Sequence, residues 1–168
     1  MIEELRAPTG RPLEREELRA LVTRVAARPE LWSHLWDRSA AERTYAALHR
    51  DDDVDLWALF WRPAHDTGWH DHDTSSGAVH VVEGVLEEHA LLLAQPERRM
   101  RYGAGRSFAF GPSHIHRLTC ASPVAVSIHA YSPPLWRLGQ YTVAPDGALH
   151  RMSMSYADEL RPLELDAA

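Results

Sequence analysis

The sequence GWHDHDTSSGAVHVVEG, residues 68–84, contains the pattern on which the interpretation of this chain depends. Residues two apart in an extended strand point to the same side, so His70 and His72 project together. Two imidazoles on one side suit a metal ion, which they bind at about 2 Å. An H-x-H pair on its own is more simply explained as two surface histidines in a polar loop. The metal hypothesis therefore needs support from elsewhere in the chain.

Two later segments give that support. The stretch GPSHIHR, residues 111–117, places His114 and His116 where a β-barrel could bring either of them beside the first pair. A set of three imidazoles would leave metal positions open for substrate and oxygen. The stretch SIHAY, residues 127–131, alternates polar and apolar residues, so three polar side chains share one face. Burying three polar side chains inside a barrel costs free energy unless they are hydrogen-bonded. The pattern therefore predicts a polar cavity; the alternative is that this face of the strand is exposed to solvent.

The order of predicted elements indicates the fold class. Apolar residues follow helical spacing from residue 13 to 28, and residues 29–36 could form a second short helix. After residue 42 short β-rich runs follow with turn residues between them, which is typical of a sandwich or barrel. The runs are residues 44–48, 54–61, 78–82, 85–93, 107–110, 115–120, 124–131 and 140–143. We predict one domain of mainly β (α+β) class, with a helical segment 1–41, a small β-barrel 42–155 and a tail 156–168.

Length and composition exclude several protein classes. The chain has 168 residues and a net charge of −6, whereas a nucleic-acid binder needs a basic face. Its apolar runs are far shorter than the roughly 20 residues of a membrane-spanning helix. The acidic start, residues 1–6, is unlike a signal peptide, and the lone Cys120 cannot form an internal disulfide. We therefore expect a cytoplasmic enzyme or binding domain with neither a nucleic-acid nor a membrane partner.

Taken together, these segments resemble the cupin superfamily and, within it, the cysteine dioxygenase-like thiol dioxygenases. The first cupin motif, G-x5-H-x-H-x3–4-E-x6-G, is matched by the H-x-H pair followed by Gly77 and Gly84, although Ala64 stands at the leading glycine position. Gly77 occupies the place of the usual glutamate ligand, and this departure is itself typical of thiol dioxygenases. The resemblance covers residues 42–135 and includes the His-Arg pair at 116–117 and the run 125–134. It implies a cupin-type jelly roll.

The resemblance also implies roles for particular residues. It assigns His70, His72 and His116 as ligands of iron(II), with His114 as a neighbour. It makes Tyr131 the active-site tyrosine, held by His129 and Ser127. The substrate side would include Tyr45, Ala47, Trp61 and Gly77. No thioether crosslink to the tyrosine is expected, because Gly77 stands at the position of the crosslinking cysteine.

The activity that the resemblance implies is that of a non-haem iron(II) thiol dioxygenase. Both atoms of O2 would be added to the sulfur of a small thiol, giving a sulfinic acid. Three neutral imidazoles leave the charge of the ion to be neutralised by a thiolate. Ala47 stands where the family has an arginine that binds the substrate carboxylate, so free cysteine should bind weakly unless Arg43 or Arg62 reaches in. Trp57, Trp61 and Trp69 are either barrel core or a wall for a bulkier thiol such as ergothioneine, whose quaternary ammonium suits indole faces.

Two other functions remain open at this point. One is a zinc or nickel cupin acting as a hydrolase, isomerase or lyase. The other is a non-catalytic cupin that binds a metal or a small ligand, although such a protein has no evident need for Tyr131. For the dioxygenase we expect a small thiol and O2 as partners, and a monomer or small homo-oligomer.

Overall fold

The structure is a computed structural model that describes residues 9–63, 65–92, 95–145 and 147–155. One α-helix, α1 (Arg15–Ala26), precedes two short 3-10 helices, Pro29–Leu31 and Ser33–Leu35. The strands that follow are β1 (Thr44–Arg50), β2 (Asp55–Trp61), β3 (Trp69–Asp71), β4 (Ser76–Glu83), β5 (Val85–Ala90), β6 (Arg98–Gly103), β7 (Ser107–Phe110), β8 (His116–Cys120), β9 (Ala125–Ser132), β10 (Arg137–Val143) and β11 (Leu149–Ser155).

The strands form two antiparallel sheets that face each other. The first sheet has the order β1-β2-β9-β4-β7, and the second has the order β11-β10-β3-β8-β5-β6. Side chains of both sheets meet in one apolar core, where Trp61 and Val79 of the first sheet join Leu86 and Leu118 of the second. The predicted mainly β barrel with an N-terminal helix is therefore confirmed.

Helix α1 covers the outer face of the first sheet. Its apolar residues Leu18, Leu21, Val22 and Val25 are fully buried and pack with outward residues of β2 and β9. A capping box between Glu14 and Glu17 satisfies backbone groups at its first turn. Because the helix buries one face of β9 and the barrel buries the other, all eight residues of that strand are buried.

The predicted elements differ from the observed ones where the sequence lacks alternation. The second helix is two 3-10 turns, and the run predicted to end at residue 93 ends as a strand at Ala90. Strands β6 and β11 are additional: both lie at sheet edges and expose most of their residues, so burial leaves no apolar pattern in them. Residues 1–8 of the predicted helical segment, Ala64 and the predicted tail 156–168 lie outside the described residues. The division of the chain into these segments stays a prediction.

Helix α1 has 12 residues, and no helix in the described part of the chain combines the length and apolarity needed to cross a membrane.

Candidate metal centre

Three histidines meet inside the barrel. His70 lies in β3, opposite His116 at the start of β8, and His72 follows β3 directly. Their ring centroids are 4.8 Å apart for His70–His72, 4.8 Å for His70–His116 and 5.2 Å for His72–His116. One ring nitrogen of each lies within 4.8 Å of the other two. The structure thus brings together the three residues that the sequence proposed as ligands.

The nitrogen atoms of this cluster fit a metal ion. His70 Nδ1 donates to the Gly68 carbonyl at 3.0 Å, so the lone pair of the neutral ring lies on His70 Nε2. Both ring nitrogens of His72 and Nε2 of His116 are buried without a hydrogen-bond partner. Buried polar atoms are normally hydrogen-bonded, so orphaned nitrogens facing one another indicate a missing ligand. The three-histidine group includes no carboxylate among the described residues.

Electrostatics favours the form of imidazole that binds metals. Burial lowers the pKa of His72 well below its ordinary value, and the neighbouring His70 and His116 lower it further. Burial also lowers the pKa of His116 to about 3, against the opposing effect of Glu88. Both rings are therefore neutral near pH 7, which is the state that metal binding requires.

Glu88 holds the far side of His116. Its Oε1 accepts from His116 Nδ1 at 2.9 Å and from His114 Nε2 at 2.9 Å, and its Oε2 accepts from the Tyr102 hydroxyl at 3.3 Å. Burial by itself raises the pKa of the Glu88 carboxyl, but the hydrogen bonds from the two histidines outweigh it and the pKa lies at about 2. An ionised Glu88 fixes the His116 proton on Nδ1, so Nε2 presents its lone pair to the cluster.

The outward face of β3 is held by a different set of bonds. Asp71, between His70 and His72 in the sequence, accepts from Arg151 Nε at 2.8 Å and Nη2 at 2.9 Å, and from the Tyr141 hydroxyl at 2.5 Å. Gly139 N also donates to this carboxylate, and a Cβ at Gly139 would lie 2.5 Å from it. This three-residue strand is thereby fixed from outside while its histidines point inward.

A chain of hydrogen bonds runs along β9. The Trp61 indole N–H donates to Ser127 Oγ at 2.8 Å, and Ser127 Oγ lies 2.8 Å from His129 Nε2. His129 Nδ1 lies 3.2 Å from the Tyr131 hydroxyl. Burial, with the nearby His116 and Arg43, lowers the pKa of His129 to about 3, so its ring is neutral. We call Trp61, Ser127, His129 and Tyr131 the β9 relay.

The first hydrogen bond of the β9 relay has a fixed direction, because an indole N–H can only donate, so Ser127 Oγ accepts from it. A hydroxyl oxygen has a second lone pair, so the two later bonds have two consistent arrangements. With the His129 proton on Nδ1, Ser127 donates to Nε2 and Nδ1 donates to the Tyr131 oxygen, whose own proton then points away from His129. With the proton on Nε2, both bonds reverse. The ring of Tyr131 lies against His72, with centroids 5.0 Å apart.

Gly77 is required by the packing around Tyr131. It pairs with Tyr131 on one side and with Phe110 on the other. A Cβ at this position would lie 2.4 Å from the Phe110 ring and 3.2 Å from Tyr131 Cδ1. The space that a side chain would occupy at position 77 is therefore filled by Phe110.

The remaining proposed substrate residues lie on the edge strand β1. Tyr45 and Ala47 pair with Leu59 and Trp57, which belong to the core inside the barrel. Tyr45 is 40% exposed and its ring lies 5.7 Å from that of Trp57, so it lies at the open edge of the barrel. Trp61 is fully buried and belongs to the β9 relay.

Trp69 lies apart from the other two tryptophans that the sequence considered. Strand alternation turns it away from His70, and it contacts His89 and Arg117. It forms no part of the pocket wall. Trp57 and Trp61 do belong to the inner core.

Sequence reasoning missed Glu88. The signal was present in β5, because Leu86, Glu88 and Ala90 share one face and all three are buried. A carboxylate between two apolar residues of a buried face needs partners, and these come from β6, from β8 and from the turn before β8. His114, which the resemblance made a neighbour of the ligands, is one of those partners.

Two facing sheets around a buried cluster of three histidines define the class of this protein as a cupin-type barrel with a candidate metal site. The chain belongs to the cysteine dioxygenase type I family, which it matches over residues 9–143.

Solved structures support the fold alone. A conserved protein with a double-stranded β-helix domain from Klebsiella pneumoniae is similar at 13% identity and a TM-score of 0.52, covering 71% of this chain and 91% of that one. Peruvianin-I, a cysteine peptidase from Thevetia peruviana latex, is similar at 13% identity and a TM-score of 0.51, covering 61% of this chain and 71% of that one. No curated protein sequence matches the chain.

Proposed function

We propose that this protein is a non-haem iron(II) thiol dioxygenase that adds both atoms of O2 to the sulfur of a small thiol and releases a sulfinic acid. The observation that carries the proposal is the position of Tyr131, the last member of the β9 relay, against a three-histidine cluster without a carboxylate. His70, His72 and His116 would hold the iron. Bound there, iron(II) would supply the redox chemistry between O2 and the thiolate that zinc lacks.

The residues of the β9 relay have separate tasks in this reaction. Tyr131 donates its hydroxyl proton to the substrate or to an oxygen atom in the pocket. His129 holds the phenol oxygen through Nδ1–H, and Ser127 keeps the His129 proton on that nitrogen. All three side chains are buried, so bulk water does not compete for these hydrogen bonds.

The neutral ligand set suits an anionic substrate group. A carboxylate ligand would compete with the thiolate for the charge of the ion, and Gly77 with Phe110 fills the place where most cupins have one. The buried carboxylate of Glu88 is hydrogen-bonded to His116 Nδ1, the ring nitrogen that faces away from the cluster. The pocket therefore favours a substrate that brings its own negative charge.

The substrate that we propose is a cysteine-like thiol or a bulkier one such as ergothioneine. Ala47 has no side chain beyond Cβ with which to bind a carboxylate, and it is exposed on the edge strand β1, opposite Trp57. The rings of Tyr45 and Trp57 lie beside this position, and aromatic faces attract a quaternary ammonium.

The decisive experiment is anaerobic iron loading followed by oxygen uptake and product mass analysis with cysteine, 3-mercaptopropionate and ergothioneine. We expect a product two oxygen atoms heavier than one of these thiols. Turnover of cysteine at low concentration with no response to ergothioneine would refute the proposal of a bulkier thiol substrate. Three imidazoles also fit zinc or nickel, and a protein that retains one of those metals and consumes no oxygen would support the hydrolase, isomerase or lyase alternative.

A Tyr131→Phe variant tests the role of the hydroxyl. We expect unchanged iron content and a kcat about 100-fold lower, which is the smaller end of the contribution of a positioned acid. A non-catalytic binding protein would bind its ligand equally well in both forms. Loss of iron in the variant would instead make Tyr131 part of the metal site.

A further inference from the structure

In the described part of the chain the two sheets end in four edge strands, which are β1 and β7 of the first sheet and β6 and β11 of the second. An edge strand presents backbone N–H and C=O groups with which a strand of another chain can pair, and proteins protect such edges with short strands, bulges or charges. Three of these edges have such a feature. The register of β1 shifts between Ala47 and His49, β7 has four residues, and β6 has arginines at three of its six positions.

Strand β11 lacks these features. Its seven residues, LHRMSMS, pair with β10 at seven consecutive positions without a shift of register. They include one arginine and no lysine, acidic residue or proline, and the Arg151 guanidinium turns back to Asp71 of its own sheet. No strand in the ranges that the structure describes pairs with the other side of β11 between His150 and Met154. This strand is therefore a long, regular edge with little charge.

Exposed apolar side chains surround the same edge. Met152, at the centre of β11, is 62% exposed, and Trp136, just before β10, is 67% exposed. Val143 and Leu149, which pair at the other end of the two strands, are also exposed. Apolar exposure along an unprotected edge indicates a surface that another protein chain covers.

The sequence of β11 is complementary to itself. An antiparallel pair of two copies, related by a two-fold axis at Met152, brings the two Met152 side chains together. It also places Arg151 opposite the partner's Ser153 and His150 opposite the partner's Met154. Like charges directly opposite one another destabilise a strand pair, and this register places none of the arginines opposite another. The charge pattern of β11 thus favours a second copy of the same strand.

The other edge of the second sheet shows the contrast. Strand β6 also has an exposed methionine near its centre, Met100. The same two-fold pairing about Met100 would place Arg99 opposite the partner's Arg101, and both side chains are largely exposed. That register brings like charges together on both sides of the axis. Charge therefore selects β11 over β6.

A groove at the end of β11 fits the same arrangement. It has a volume of about 470 Å³ and is lined by Trp136, Arg137, Ser153, Met154 and Ser155. In the two-fold register the partner's Leu149 lies opposite Ser155, on the face of the strand that carries Ser153. The exposed leucine of the partner thereby comes to the rim of the groove, beside Trp136.

We propose that two copies of this chain form a two-fold dimer in which their β11 strands pair antiparallel about Met152. Backbone hydrogen bonds join the two edges, and the Met152 pair and Leu149 beside Trp136 supply apolar contact. The second sheets of the two copies then form one continuous sheet. The dimer does not depend on the proposed reaction.

Sedimentation of the full chain measures the Kd of the dimer. Wild type is compared with Met152→Arg, Met152→Leu and, on the other edge, Met100→Arg, and circular dichroism shows whether each variant is folded. We expect Met152→Arg to raise the Kd about 100-fold, because two like charges then meet at the axis. Met152→Leu keeps the apolar contact and should dimerise as wild type does. Met100→Arg should stay within about twofold of wild type.

A crosslink tests the register. In a Cys120→Ser background, Met152→Cys and Met100→Cys each provide one thiol, and both proteins are oxidised under the same conditions. Residues directly opposite in an antiparallel pair have Cα atoms about 4.5–5.5 Å apart, which suits a disulfide. We expect a disulfide-linked dimer from Met152→Cys and a monomer from Met100→Cys on a non-reducing gel. This comparison still decides if Met152→Arg fails to fold.

The proposal is overturned if wild type stays monomeric at its highest soluble concentration, or if Met100→Arg dissociates the dimer as strongly as Met152→Arg does. A dimer in which the Met152→Cys thiols do not crosslink would also overturn it. If the protein is monomeric and the Met152→Cys thiol resists alkylation, residues 156–168 cover this edge and a second copy does not.

Discussion

Two hydrogen-bond networks flank the histidine cluster, and they differ in charge and in origin. The β9 relay of the first sheet is neutral, and three of its four members come from one strand. The network of the second sheet centres on the ionised Glu88, and its partners Tyr102, His114 and His116 come from three places in the chain. The Glu88 network fixes the proton of His116 on Nδ1, because an ionised carboxylate can only accept.

This difference in charge suits the Glu88 network to holding a metal and the β9 relay to moving a proton. A permanent negative charge behind His116 makes that ring a better donor to a metal, and it does so without giving up a proton. A neutral chain that ends in a phenol can lend a proton to a substrate and take it back. We therefore expect damage to the Glu88 network to appear in metal affinity, and damage to the β9 relay to appear in turnover.

The largest effect should come from removing His72, whose ring lies beside Tyr131 of the β9 relay and His116 of the Glu88 network. His72→Ala deletes a ligand, so metal affinity should fall by more than the roughly 100-fold that loss of an outer hydrogen-bond partner costs. Metal content after dialysis measures this. His150→Ala, which changes an exposed histidine of β11, is the control and should keep its metal. Unchanged metal content in His72→Ala would mean that the ligand set is wrong.

The second effect should come from neutralising the charged network. Glu88→Gln keeps the shape of the side chain but removes the charge behind His116, so metal affinity should fall about 10- to 100-fold. Competition with a chelator measures the affinity. The matched control is Glu87→Gln on the same strand, because Glu87 faces outward and pairs with Arg101. If the two variants lose metal equally, the charge of Glu88 has no special role.

The smallest effect should come from the interior of the neutral relay. Ser127→Ala removes the hydroxyl that in the proposed reaction donates to His129 Nε2, so the His129 proton can move to Nε2 and Tyr131 can turn its proton toward Nδ1. We expect kcat to fall about 10-fold, a fraction of what a positioned acid contributes, with unchanged metal affinity. In a Tyr131→Phe background the same substitution should lower kcat no further, because residues that act as one unit are not additive. A further tenfold loss in the double variant would contradict the relay.

The three members of the β9 relay that lie on β9 were predictable because they are local, whereas the bond from Trp61 to Ser127 joins residues 66 positions apart. The strand alternates polar with apolar residues from Ser127 to Tyr131, and period-two alternation survives in any barrel that buries both faces. The pair His70 and His72 was predictable for the same reason. Their resemblance to cysteine dioxygenases then proposed His116 as the third ligand, although spacing alone left His114 equally possible.

The Glu88 network and the support of β3 were not predictable from local pattern. β3 has three residues and is held by Asp71 bonding to Arg151, 80 positions later in the chain. No periodicity connects residues so far apart, since their contact exists only after β10 and β11 have paired. The same holds for Arg43, whose position over Trp61 depends on the pairing of β1 with β2.

The sequence by itself determined which side chains share a face of a strand, and hence that two histidines and a Ser-His-Tyr set project into a barrel. It could do so because the direction of a side chain in a strand follows from the backbone repeat alone. The tertiary structure decided which three histidines meet and which carboxylate stands behind one of them. Those features depend on distances between strands that pairing and packing bring together, and no short stretch of sequence contains them.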